Sequence, residues 1–211
     1  MKKAFVIILA FVLLCGITPT TFAASDEVQS AADMLHDLGL FQGKGIDSDG
    51  TPIYDLDAAP TRNEAVTMLV RLLGKEAEAK SGTWTIPFTD VADWAKPYVG
   101  YAYANGLTKG TSETTFGGDS LITASQYLTF VLRTLGYDSS KDFKWDAAWE
   151  LSDNIGLTNG EYDASSQFLR GNVAQISFSA LSVAQKDSEK TLADRLIVHL
   201  SRKSRQRKST S

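Results

Sequence analysis

The sequence predicts a mainly α-helical fold of three tandem helix–loop–helix units. Three observations carry this. The motif G-L-x-x-G occurs three times, at Gly39–Gly43, Gly106–Gly110 and Gly156–Gly160, each after a stretch with helical apolar spacing. An aromatic follows each motif, and seven residues later a second helical stretch opens: Tyr54 leads to Thr61, Phe116 to Thr123 and Tyr162 to Leu169. Thirteen residues beyond those starts lie Gly74, Gly136 and Ser182, where the stretches end.

In chain order, residues 1–23 read as a secretory signal peptide. Two lysines precede an apolar run from Ala4 to Leu14, and Ala23 ends a small-residue exit. An uncleaved anchor is the alternative, though the run is short for a bilayer. The bulky Leu14 before Cys15 argues against a lipoprotein signal. Cleavage after Ala23 would remove the only cysteine, leaving no disulfide, thiol nucleophile or cysteine metal site. Stability must then come from packing, for which the remaining length suffices.

The first unit, residues 26–76, pairs SAADMLHDL with EAVTMLVRLL, whose Ala65, Met68, Leu69, Leu72 and Leu73 fall on one helical face. Thr61 and Glu64 form a capping box, in which side chain and backbone reciprocally satisfy the helix's free amides. Arg62 sits in that first turn, where the helix dipole disfavours a cation by roughly 0.3–1 kcal/mol. The second unit, 87–137, pairs KPYVGYAYAN with QYLTFVLRTL, and Arg71 and Arg133 occupy matching places. The third, 138–185, is degenerate and pairs DAAWELSDNI with NVAQISFSAL. Residues 186–200 suggest a C-terminal helix with Leu192, Leu196 and Leu200 on one face. Residues 201–211 form a basic tail, which composition marks as disordered and a possible clamp on anionic polymer.

All 25 acids lie within residues 24–200 beside 14 of the 21 Lys and Arg, so that body carries a net charge of −11. Such a surface repels nucleic acid. His36 and His199 have no partner motif, and G-x-S-x-G, H-E-x-x-H and phosphate-cradling glycine loops are absent from the sequence. Asp47, Asp49, Asp55 and Asp57 offer oxygens for calcium, but Thr51 and Pro52 break the loop pattern, so a polar turn is expected. The chain reads as a non-enzyme without metal or cofactor.

The stretch IPFTDVADWAKPYVGYAYANGLTKGTSETTFGG resembles the S-layer homology (SLH) domain of bacterial cell-surface proteins, through Phe88, Asp90, Val91, Trp94, Ala95, Ala102, Gly106, Leu107, Gly110 and Phe116. Thr61, Arg62 and Glu64 match the family's T-R-A-E helix start. The resemblance extends over about residues 26–185. It implies three repeats packed as a pseudo-threefold bundle, a cell-surface location, and anchoring by non-covalent binding of peptidoglycan-linked, anionic secondary cell-wall polysaccharide. By that resemblance the arginines Arg62 and Arg170 lie at inter-repeat grooves, where an anionic sugar would gain from the guanidinium and from free helix amides. The polysaccharide-binding set expected from the resemblance is Arg62, Arg170, Asp90, Trp94, Thr61 and Glu64.

No repeat carries the whole motif. Ala124 stands at the second arginine position, and Leu169 replaces the third capping threonine. At most two arginine grooves are therefore expected. Other readings remain open: an ion pair between Arg62 and a neighbour such as Asp57 with no ligand, a protein-interaction module that kept the fold but lost glycan binding, or a wall hydrolase acting through carboxylates. Asp90 is expected to cap the helix containing Trp94. The tryptophans Trp84, Trp94, Trp145 and Trp149 stack on sugars or plug the core, and for Trp94 the core is favoured.

Overall fold

The computed structural model describes residues 25–197. The expected signal peptide, His199, Leu200 and the basic tail lie outside the described residues. Helices dominate: α1 (Asp26–Asp37), α2 (Arg62–Leu72), α3 (Glu76–Ser81), α4 (Lys96–Ala104), α5 (Ala124–Thr134), α6 (Ala148–Asn154) and α7 (Arg170–Ala180). Single 3-10 turns, Asp93–Ala95 and Trp145–Ala147, lead into α4 and α6. Two short strands, β1 (Gly45–Ile46) and β2 (Pro52–Ile53), pair antiparallel with Ile46 opposite Pro52.

The helix ends follow from their residues. Gly39, Gly106 and Gly156 adopt φ of +72°, +70° and +72°, the left-handed conformation that lets the chain turn back after α1, α4 and α6. Thr61 closes α2 with the expected box: its hydroxyl accepts from Glu64 N, and the Glu64 carboxylate accepts from Thr61 N at 2.8 Å. Thr123 and Gln126 do the same for α5, where glutamine serves as well as glutamate. At α7 half the device survives. Leu169 has no acceptor, but the Asn172 carboxamide still receives Leu169 N at 2.8 Å.

Packing joins successive segments in a ring. The long helix α2 packs on α4, α5 packs on α6, and α7 returns to α1, while α2, α5 and α7 touch one another at the centre. The core is continuous, with Leu35, Phe41, Leu69, Phe116, Tyr127, Leu132 and Ile176 among its fully buried side chains. Each such residue stabilises the fold by about 1.5–3 kcal/mol relative to exposure. At the centre the Tyr127 hydroxyl meets Ser177 Oγ at 2.8 Å, satisfying a polar pair that would otherwise be costly.

One local expectation holds and another changes. The Asp47–Thr51 segment is the β-hairpin turn, and Asp47 Oδ1 accepts from Asp49 N and Thr51 N, which explains that carboxylate without a cation. The C-terminal helix begins at residue 192 rather than 186, because Thr191 and Asp194 cap one another there. Leu192 and Leu196 are buried against the core.

Candidate functional site

Two grooves repeat one construction. Groove A, about 450 Å³, lies where Arg62 at the start of α2 meets the Lys109–Thr111 loop, the Gln126–Arg133 face of α5, Ser139, Ser140 and Trp145. Groove B, about 410 Å³, lies where Arg170 at the start of α7 meets the Gln42–Lys44 loop, the Glu64–Arg71 face of α2, Lys80, Trp94, Pro97 and Tyr98. Each is built from one helix start, the loop after a G-L-x-x-G glycine, a long helix, and a tryptophan from a 3-10 turn.

The arginines are held alike. Arg62 Nη2 donates to Lys109 O at 3.0 Å, and Arg170 Nη2 donates to Gln42 O at 3.4 Å, the same position of the glycine motif. Arg170 Nε also donates to Tyr54 O at 2.8 Å. Both side chains are deep in the protein, 7% and 4% exposed. Neither makes an ion pair among the described residues, so the alternative of an Arg62–Asp57 salt bridge fails.

Arg62 is the less settled of the two. Its Nε is buried with no partner, and its guanidinium lies 4.9 Å from the centroids of both Phe116 and Phe130. The ring faces compensate part of the lost hydration. Burial, then the positive charge of nearby Arg133, pulls its pKa down to about 10. Arg133 is depressed by burial as well, and its Nη2 donates to Ser139 Oγ at 2.8 Å. Groove A thus gathers Arg62, Arg133 and Lys109 with no carboxylate among its described lining residues. An unpaired buried cation beside a second one is costly, and an anion in the groove would relieve it.

The helix amides are not available to such an anion. Arg62 N and Asn63 N donate to Ser120 O and Gly118 O, and Arg170 N and Gly171 N donate to Ala58 O and Leu56 O. The expected contribution of free amides is overturned, because each helix start is docked on a neighbouring loop. Side chains, with the guanidinium and ammonium groups as the cations, face the grooves.

Asp90 does not cap a helix. The 3-10 turn Asp93–Ala95 has no side-chain cap, and the Asp90 carboxylate instead accepts from Phe116 N and Gly117 N, both at 2.7 Å. Burial works to raise its pKa, but these amide bonds outweigh it and hold the carboxyl below its usual range. By pinning this loop, Asp90 positions the Gly118 and Ser120 carbonyls on which the start of α2 rests. Gly110 is needed in the same region, since an added Cβ would collide with the Ser112 carbonyl and the Phe88 ring.

Trp94 and Trp145 are 54% and 58% exposed, so the expectation that Trp94 plugs the core is corrected: both indoles form groove walls. Trp145 is fixed through its carbonyl, which accepts from Ser125 Oγ at 2.7 Å and Thr129 Oγ1 at 3.2 Å. Trp84 and Trp149 are half-buried against the core. Of the sequence-derived set, Arg170, Trp94 and Glu64 meet in groove B, Arg62 stands in groove A, and Thr61 and Asp90 line neither. Arg71, Arg133, Lys109 and Lys80 were missed as lining residues, while Trp145 takes the sugar-facing one of the two places weighed for it. The shared position of Arg71 and Arg133 was the available signal.

A third pocket, about 250 Å³ between α1 and α7, contains Glu27 and Glu161 and no cation among its described lining residues. Ala124, at the arginine position of α5, is buried. This pocket lacks the chemistry of the other two.

Among known proteins, the family profile described as S-layer homology domain matches residues 87–127. A middle cell wall protein of Brevibacillus brevis is 27% identical over 197 residues, covering 87% of this chain and 18% of that protein. A surface layer protein of Brevibacillus choshinensis is 30% identical over 69% of this chain and 14% of its own length. A cell surface protein of Thermoanaerobacter kivui is 29% identical over 93% of this chain and 27% of its own. The chain therefore spans less than a third of each of these relatives. It carries, in residues 87–127, an S-layer homology domain.

Proposed function

We propose that this chain is a non-catalytic anchor at the bacterial cell surface, and that groove A grips an anionic secondary cell-wall polysaccharide. One observation carries the reading: Arg62 is buried, has an unpartnered Nε, and stands beside Arg133 in a groove without a described carboxylate. A carboxylate or phosphate on a sugar would supply the missing counter-charge, and the exposed Trp145 indole offers a face for the pyranose ring. The names of the cell-wall and surface-layer relatives support the location. Three units, 26–76, 87–137 and 138–185, arranged about a pseudo-threefold axis, would account for the ring of helix contacts. Arg170, Trp94 and Glu64 belong to the related groove B. Thr61 and Asp90 act through Arg62, by capping and docking its helix.

Sedimentation with wall sacculi tests this. The protein should pellet with sacculi that retain their polysaccharide and stay in solution with sacculi stripped of it. The double variant Arg62→Ala/Arg133→Ala should stay in solution with both. Equal pelleting with stripped and intact walls would refute polysaccharide recognition.

A further inference from the structure

The two arginine grooves share a construction but differ in how their cations are partnered. Beside groove B the Glu76 carboxylate binds three of its lining residues, Arg71 at 3.2 Å, Lys80 at 2.9 Å and the Tyr98 hydroxyl at 2.7 Å. Lys44 is likewise held by Asp55 at 3.0 Å and Glu64 at 3.5 Å. In groove A the Arg133 guanidinium, which matches Arg71, bonds a hydroxyl, Ser139 Oγ. Asp138 lies near enough for its charge to act on Arg133 and Lys109, but it makes no salt bridge with either, so the direct ion pairing that Glu76 provides beside groove B has no counterpart beside groove A among the described residues.

From this we infer that Glu76 is a built-in counter-anion that closes groove B to acidic ligands, so that of the two arginine grooves only groove A is left open to an acidic saccharide. The inference rests on the anchoring reading for groove A, but its own content is the inequality between the grooves. An incoming carboxylate at groove B must displace Glu76 from two cations and a phenol, whereas at groove A it displaces only solvent and one neutral hydroxyl contact. A charge-assisted bond is about twice as strong as a neutral one, so the internal occupant is hard to dislodge. Burial works to raise the Glu76 pKa, yet bonds from Lys80 and Tyr98 and the charge of Arg71 hold it at about 2, so the occupant stays ionised at any neutral or mildly acidic wall. Arg170 is partly compensated in the same way: burial depresses it while the Glu64 and Asp55 charges oppose the depression. For Arg62 the only charged neighbour that shifts it is another cation.

Each groove has its own reporter, the indole of Trp145 for groove A and of Trp94 for groove B. The full chain is titrated with glucuronate while both indole N–H resonances are followed by NMR. In the unaltered protein Trp145 should shift and Trp94 should stay. In Glu76→Gln the Trp94 resonance should shift as well, with apparent affinity for glucuronate raised at least about tenfold over the unaltered chain. The converse variant, Ser139→Glu, gives groove A a carboxylate at a half-buried surface position and should weaken the Trp145 response by about tenfold or more. That arm stands even if Glu76→Gln fails to fold. A Trp94 shift in the unaltered chain at the concentrations that move Trp145 overturns the inference. So does a Trp94 resonance that stays fixed in folded Glu76→Gln, or a Trp145 response unchanged by Ser139→Glu. A silent Trp145 in the unaltered chain would instead sink the anchoring reading, and the response of Trp94 in Glu76→Gln would still judge the role of Glu76.

Discussion

Replacing Arg62 by alanine separates a ligand-binding cation from a structural strut. The substitution removes a charged donor bonded to Lys109 O at 3.0 Å, worth about 1.5–3 kcal/mol. It also removes contacts with the Phe116 and Phe130 rings, worth about 0.5–1 kcal/mol each. Against these losses, it relieves a buried guanidinium whose pKa has fallen from its ordinary value to about 10, a penalty of about 3 kcal/mol. The orphaned Nε disappears with it. Net destabilisation should therefore be only about 0–2 kcal/mol, a fall in Tm of a few degrees for a chain of this size. Binding should suffer far more. Loss of a charge-assisted contact to an anionic sugar weakens affinity by about 10- to 100-fold. Calorimetric melting and a wall-polysaccharide binding isotherm, measured on the same preparation, give the two numbers. A Tm lowered by more than about 10 °C with unchanged affinity would show that Arg62 serves the fold, and the reasoning would be wrong.

Two further outcomes follow from the same charges. Arg133→Ala removes the like charge beside Arg62 and costs one bond to Ser139 and the attraction of the Asp138 charge; melting temperature should hold to within a few degrees while wall binding falls by about tenfold, and a large drop in Tm would contradict the repulsion between the two guanidiniums. Glu76 has a folded pKa of about 2 against an ordinary 4.5, so its stabilisation is complete above the ordinary value and is lost as pH falls from about 4.5 towards 2; Glu76→Gln should flatten that acid limb of the Tm profile by about 2–3 kcal/mol, and an unaltered limb would rule out the ion cluster as a source of stability.

The sequence alone determined the six helices of the three units and marked most of their ends, though not α3 or the β1–β2 hairpin. Those features are local: glycine tolerates the left-handed turn at Gly39, Gly106 and Gly156, and threonine with a carboxylate or carboxamide three residues on satisfies helix amides wherever it occurs. It also marked Arg62 as unusual, since a cation in a first helical turn has no local benefit. What surrounds that cation was decided only by tertiary structure. Whether the helix amides are free depends on the Gly118 and Ser120 carbonyls, which are more than fifty residues away along the chain. Asp90 looked like a cap because it precedes a helix, yet a loop 26 residues later brings better donors to it. Trp94 has the composition of a core residue, but the 3-10 turn that carries it points its indole outward. Above all, Arg71 and Arg133 look equivalent in the sequence, yet Arg71 forms a salt bridge with Glu76, whereas Arg133 bonds the Ser139 hydroxyl and feels Asp138 only through its charge. Electrostatic pairing depends on distance in space, and spacing along a chain does not encode it.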